Sequence, residues 1–334
     1  MRKLILYFMI ITLLISTCRI DAKPQKTYIL TTISYLVPIV KAIGGVMVEV
    51  ECLIPQGADP HYYELTPADI NKLEKADIIV LTGPAHLPIE TKIEKIMRER
   101  GLSKVIVDYR NYTKLGLSLL RLPNGKVNPH GYFLSLRGIR AISKSIAKAL
   151  AIINPENTSY YNRNLEEYLN KIDNIEKLSK DILGKRKYRV NIITPFLQYL
   201  LEDLSIEIVD VLVYELGVSP SVKDVENFIN SIKKGRSQMV VMDCREALKY
   251  KDLIELFEEN NIPYVIIPLT SADLMNNGVE YSAIILATSL STTFKGGSVE
   301  TKEDFNGDIL LISVTLNLAL VVLLSYILLS RERR

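Results

Sequence analysis

With 334 residues, 48% of them hydrophobic, the chain has enough apolar material for two packed domains, which excludes a disordered polymer. Its formal net charge of +3 is shared between basic stretches at its two ends, so the middle is close to neutral and gives no electrostatic case for nucleic acid. Three cysteines, Cys18, Cys52 and Cys244, make neither a disulfide framework nor a cysteine-based zinc knuckle.

The chain opens with MRK and then LILYFMIITLLIS (4–16), a basic start and a short apolar run that read as a secretory signal over 1–22. From there the apolar pattern alternates in kind. YILTTI (28–33), VMVEVECLI (46–54), DIIVLTG (77–83) and KVIVDY (104–109) read as strands; SYLVPIVKAIG (34–44), TPADINKLEKA (66–76) and PIETKIEKIMRERG (88–101) have helical spacing. Alternation of strand and helix implies a parallel α/β sheet, placed here in a first lobe over 23–150 that ends with a helix over 135–153.

A connecting segment follows over 151–185. Leu165, Leu169, Ile172, Ile175, Leu178 and Ile182 give one apolar stripe on an otherwise charged helix, long enough to act as a strut between two bodies. The alternation then resumes in a second lobe over 186–295. Its expected strands are 188–194, 206–214, 238–244 and 263–269, and its expected helices start near 195 and span 219–235, 246–261 and 279–293. The two lobes match in build without a repeat in sequence. A spacer over 296–308 leads to ILLISVTLNLALVVLLSYILLS (309–330), 22 uncharged residues followed by RERR, which predicts a transmembrane helix with its basic end in the cytoplasm. The fold expectation is therefore α/β with two lobes, each a parallel sheet flanked by helices, joined by one long helix and tethered to a membrane.

Only three histidines occur, and each falls in a loop after a first-lobe strand: His61 in GADPHYYELTPADI, His86 in TGPAHLPIE and His130 in VNPHGY. Loops at one edge of a parallel sheet converge, and imidazoles brought together without a nucleophile suit a divalent metal. Thr66, Pro67 and Asp69 form a variant capping box that fixes where the His61 loop ends. Tyr62, Tyr63 and Glu64 read as packing groups or as acceptors behind the imidazole.

The stretch GADPHYYELTPADINKLEKADIIVLTG closely resembles the G-x-D-P-H-x-Y-E-x-T-P-x-D segment of the zinc- and manganese-binding solute-binding proteins of ABC importers. NPHGYF and INPENTSYYNRN resemble the same family's second histidine and the start of its connecting helix, and the likeness covers roughly 27 to 290. It implies His61 and His130 as metal ligands in the first lobe and a connecting helix that limits hinge motion. Two departures stand out. Asn128 and Tyr132 or Phe133 replace the usual acid and tryptophan, and Thr194 and Pro195 stand where a third ligand is usual. Asp273 in PLTSADL is the counterpart of the fourth ligand, Asp243 is an alternative at a strand end, and His86 fills the missing position from the first lobe.

The expectation is an extracytoplasmic receptor, anchored by a single membrane pass, that captures zinc or manganese between its lobes and delivers it to an ABC importer permease. It is expected to do no covalent chemistry. Two alternatives compete: a metal-dependent hydrolase with Glu64 as its base, and a surface adhesin in which metal is incidental. The absence of H-E-x-x-H, G-x-S-x-G and phosphate-binding glycine loops weighs against the enzyme.

Overall fold

A computed structural model describes residues 26–83, 86–122, 125–214, 220–269, 274 and 278–295. The expected signal, spacer and membrane helix over 309–330, together with Asp273, lie outside the described residues. Among the described residues no helix is long and apolar enough to cross a membrane.

The first sheet is built from β1 (Thr27–Thr31), β2 (Val48–Cys52), β3 (Ile78–Val80) and β4 (Val105–Val107), ordered β2-β1-β3-β4 with every pair parallel. Its helices are α1 (Val37–Gly44), α2 (Pro67–Lys75), α3 (Pro88–Glu99) and the short α4 (Tyr109–Tyr112). Then come α5 (Leu136–Ile153) and the long α6 (Thr158–Leu183). The second sheet repeats the plan. Strands β5 (Arg189–Ile192), β6 (Glu207–Val211), β7 (Met239–Asp243) and β8 (Tyr264–Ile267) run in the order β6-β5-β7-β8, again all parallel. With them come α7 (Gln198–Asp203), α8 (Val222–Lys233), α9 (Cys244–Lys249), α10 (Lys251–Glu259) and α11 (Ser282–Lys295).

Strand β1 is buried along almost its whole length because helices cover both faces of a parallel sheet. One continuous core holds Ile29 and Leu30 of β1, Val190 and Ile192 of β5, and Tyr161, Tyr168, Ile172 and Ile175 of α6, so the long helix joins the two sheets through packing. At about 1.5 Å per residue, its 26 residues reach roughly 39 Å. Its buried stripe is Tyr161, Tyr168, Ile172, Ile175, Ser179 and Leu183, while Leu165, Leu169, Leu178 and Ile182 sit only partly buried at its border. Two tyrosines thus join the aliphatic residues on the inner face. A second, smaller cluster around Phe228, Val240, Met242 and Phe257 fills the far side of the second sheet.

Two expected elements change shape. The strand expected from Val46 opens as a 3-10 turn, Gly45–Met47, with Gly45 at φ 55°. The helix expected over 246–261 breaks at Tyr250, whose φ of −113° and ψ of 47° are not helical, and so becomes α9 and α10.

Candidate metal centre

The two Asx-Pro-His stretches are built alike. The Asp59 carboxylate Oδ1 accepts the His61 backbone N–H at 2.9 Å, and Asn128 Oδ1 accepts the His130 backbone N–H at 2.8 Å. In each, a side chain two residues upstream closes an Asx-turn that orients the histidine. The His61 loop ends at the expected cap. Thr66 Oγ1 accepts the Asp69 N–H, and Asp69 Oδ2 accepts both the Thr66 N–H at 2.9 Å and the Tyr63 hydroxyl at 3.0 Å.

The difference between aspartate and asparagine has a reason. Asn128 is fully buried, and its Nδ2 donates to the Pro195 carbonyl at 3.0 Å and to Gln198 Oε1 at 2.9 Å. A carboxylate could not donate. The Tyr199 hydroxyl donates to the Asn128 carbonyl and accepts the Leu120 N–H, so the His130 loop is tied to the second lobe. Gly131, at φ 77°, lies so close that a Cβ would sit 1.8 Å from the Phe196 carbonyl oxygen. Only glycine fits there.

His86 is held from behind. Glu90, fully buried as the third residue of α3, accepts from Thr32 Oγ1 at 2.6 Å, the Thr82 N–H at 2.7 Å, Thr82 Oγ1 at 2.8 Å and the Gly83 N–H at 2.7 Å. Burial raises the Glu90 pKa while these four donors oppose the rise. Because the Thr82 hydroxyl gives its proton to Glu90, it accepts from His86 Nδ1, which lies 2.6 Å away. That assigns the proton of His86 to Nδ1 and makes its Nε2 the acceptor of the His130 Nδ1 proton, which a metal bridging these two nitrogens would displace. A ligating imidazole ordinarily has this arrangement, its second nitrogen giving a proton to a fixed acceptor.

The three rings converge. Ring centroids lie 4.7 Å apart for His86 and His130, 5.7 Å for His61 and His130, and 6.1 Å for His61 and His86, with His86 Nε2 3.0 Å from His130 Nδ1. As they stand they do not enclose an ion, and no set of three His, Cys, Asp or Glu side chains among the described residues does. For the His86–His130 pair the required movement is small. Two nitrogens at about 2.05 Å from one tetrahedral cation lie about 3.3 Å apart, so the His86–His130 pair opens by only about 0.3 Å. Burial is the first cause that lowers all three imidazole pKa values, to about 4 for His130 and well below the ordinary value for His86, where the neighbouring imidazoles add to it. For His61 the Asp59 charge works against the shift and the Lys249 charge works with it. Neutral rings keep their lone pairs for a metal.

The rings line a cavity of about 350 Å³ whose far wall comes from the second lobe: Thr194, Phe196, Asp243, Arg245, Glu246 and Lys249. No strong ligand among these is free. Thr194 caps the turn at Pro195–Leu197, and its hydroxyl and N–H both donate to Glu246 Oε1. Glu246 Oε2 accepts the Asp243 N–H at 2.9 Å, and burial, then the charge of Asp243, raises the Glu246 pKa. Asp243 accepts the N–H groups of Arg245 and Glu246 at 2.8 and 2.9 Å and pairs with the Arg245 guanidinium at 2.7 Å. It reaches the cavity as a helix cap. Arg245 lies over the Phe196 ring, 4.2 Å from its centroid.

Of the sequence candidates, His61, His86 and His130 come together, Asp273 lies outside the described residues, and Glu64 turns away to pair with Lys92 at 3.4 Å on the surface. The exposed Glu64 is therefore not placed as a base for hydrolysis. Sequence reasoning missed Glu90, Glu246 and Arg245. The first two carry a readable signal, an acidic residue at the third position of a helix after a strand.

The family described as ZnuA, zinc-uptake complex component A, periplasmic, matches this chain over residues 29–249. The manganese ABC transporter substrate-binding lipoprotein PsaA of Streptococcus mitis is 31% identical over 166 residues, 48% of this chain and 52% of that protein. The iron ABC transporter substrate-binding lipoprotein MtsA of Streptococcus pyogenes serotype M1 is 29% identical over 49% of this chain and 54% of its own length. The chain thus spans about half the length of the curated relatives it matches. Among solved structures, the Mn2+ complex of FpvC from Pseudomonas aeruginosa superposes with a TM-score of 0.68 at 21% identity, covering 82% of this chain and all of that one. A Mn-bound periplasmic metal-binding protein from Candidatus Liberibacter asiaticus gives 0.63 at 22% identity, covering 79% of this chain and all of that one. At these identities the structures speak for the shared fold.

Proposed function

Since the chain belongs to the family of zinc-uptake complex component A proteins, we propose that it is an extracytoplasmic receptor that binds zinc or manganese and hands it to an ABC importer permease. The observation that carries this reading is the meeting of His61, His86 and His130, the chain's only histidines, at one sheet edge inside a cavity. In this reading the first lobe supplies three neutral imidazoles, a donor set that suits zinc and leaves positions open for oxygen ligands when the ion is manganese. The expected Asp273 ligand would add one such oxygen from the second lobe.

The apolar run over 309–330 supports a single-pass anchor that keeps the receptor beside its permease, and relatives named as lipoproteins are tethered by other means. Release would follow when the permease draws the lobes apart and the ion loses whatever the second lobe contributes. Titration calorimetry of the purified full chain with Zn2+ and with Mn2+ tests the reading. It predicts one ion per chain and a loss of about 100-fold or more in affinity for His61→Ala, His86→Ala and His130→Ala. Unchanged affinity in all three variants would contradict it.

A further inference from the structure

Among the described residues, the wall facing the imidazoles brings two cationic side chains to the cavity. Arg245 and Lys249 both line the cavity, and Lys249 is near enough to His61 for its charge to act on that ring. Arg245, though half exposed, is held on two sides. It is stacked over Phe196, with Tyr35 on a second side at 5.9 Å, and one terminal nitrogen is anchored on Asp243. Among the described residues its Nε and Nη1 have no acceptor, and Lys249 has no carboxylate partner.

The carboxylates described on this wall are engaged locally, Asp243 with Arg245 itself, so only Lys249 is left without a carboxylate. Both Asp243 oxygens face Arg245 or the start of α9, and both Glu246 oxygens face Thr194 or the Asp243 backbone. A divalent ion on three uncharged imidazoles would thus face Lys249 and the donors that Arg245 has to spare, across a cavity of about 350 Å³ with room for a small molecule beside the ion. A bidentate oxyanion answers both needs. Its oxygens complete the metal's coordination and accept from the planar fork of Arg245.

We propose that the cargo is a metal ion together with a small oxyanion of the carbonate or carboxylate class, which bridges the imidazole-bound cation to Arg245 and Lys249. The proposal rests on the imidazole site described above, and its failure differs from the failure of that site. The anion adds oxygen ligands beside the three imidazoles and draws the second lobe onto the first.

Equilibrium dialysis of the full chain against carbon-14 bicarbonate, and separately against carbon-14 citrate, with and without Zn2+ or Mn2+, tests it. The expected result is about one labelled anion per chain, retained only when metal is present and reduced at least tenfold in Arg245→Gln. Lys249→Gln, at a position without a carboxylate partner among the described residues, should reduce retention less and serves as the second variant if Arg245→Gln lowers the melting temperature. Bicarbonate retention identifies the carbonate source and citrate retention the carboxylate source. Metal bound with neither label retained overturns the proposal and leaves the imidazole site standing. Label retained without metal, or equally in both variants, also overturns it. If the chain binds neither metal nor label, the imidazole site itself fails.

Discussion

The carboxyl edges of the two sheets share a scaffold and differ in what they present. In both, the third residue of the helix after the middle strand is a buried glutamate that reaches back to a threonine beyond the sheet's first strand: Glu90 to Thr32, Glu246 to Thr194. In the first sheet this lock sets a loop that carries His86, with His61 and His130 in the neighbouring loops. In the second it holds Thr194 and Asp243 inward, and among the described residues the charged side chains left facing the cavity, beside apolar and aromatic ones, are Arg245 and Lys249. The strands fix where the loops meet, and a few loop residues decide what a ligand finds there.

The comparison can be broken most severely at the contact between its halves. Gly131→Ala would force a left-handed residue against the Phe196 carbonyl, and the expected loss is about 2–5 kcal/mol of stability, read from the urea midpoint. A pH series probes the first edge alone. All three imidazoles have lowered folded pKa values against about 6.5 in the unfolded chain, so below that pH the unfolded state takes up protons that the folded state refuses. Stability of the metal-free protein should therefore be full above pH 6.5 and fall towards pH 4, His130 ceasing to contribute below about 4. His130→Asn should flatten that decline in denaturant titrations run across the range.

The glutamate locks sharpen the contrast. Glu90→Gln replaces an acceptor behind Thr82 and disturbs the His86 tautomer, so metal affinity should drop about tenfold in calorimetry. Glu246→Gln should leave the affinity for metal alone within about twofold, because no imidazole leans on it. The smallest effect belongs to the rim. Glu64→Gln removes only an exposed pair with Lys92 and should change stability by less than about 0.5 kcal/mol and metal affinity not at all.

Much of the plan is legible in sequence because it is written in local patterns. The alternation of apolar runs gives both sheets, Thr66-Pro67-Ala68-Asp69 gives a helix start, and loops after successive parallel strands bring the three histidines to one edge. What is not legible depends on partners far along the chain. Asn128 reads as a departure from an expected acid until Pro195 and Gln198 appear as its acceptors, 67 and 70 residues away. Arg245 reads as an ordinary helical residue, since nothing local shows that the strand before it ends at a cavity or that Phe196 offers it a ring. Tyr250 breaks a helix whose apolar spacing runs straight through it.

The central claim is that one lobe supplies three imidazoles to the ion. X-ray absorption at the zinc edge of the loaded full chain, which counts imidazoles through their outer-shell scattering, addresses it most directly. The account predicts three histidine nitrogens at about 2.0–2.1 Å with oxygen completing the shell. A shell with two imidazoles or fewer, or with sulfur, would contradict it.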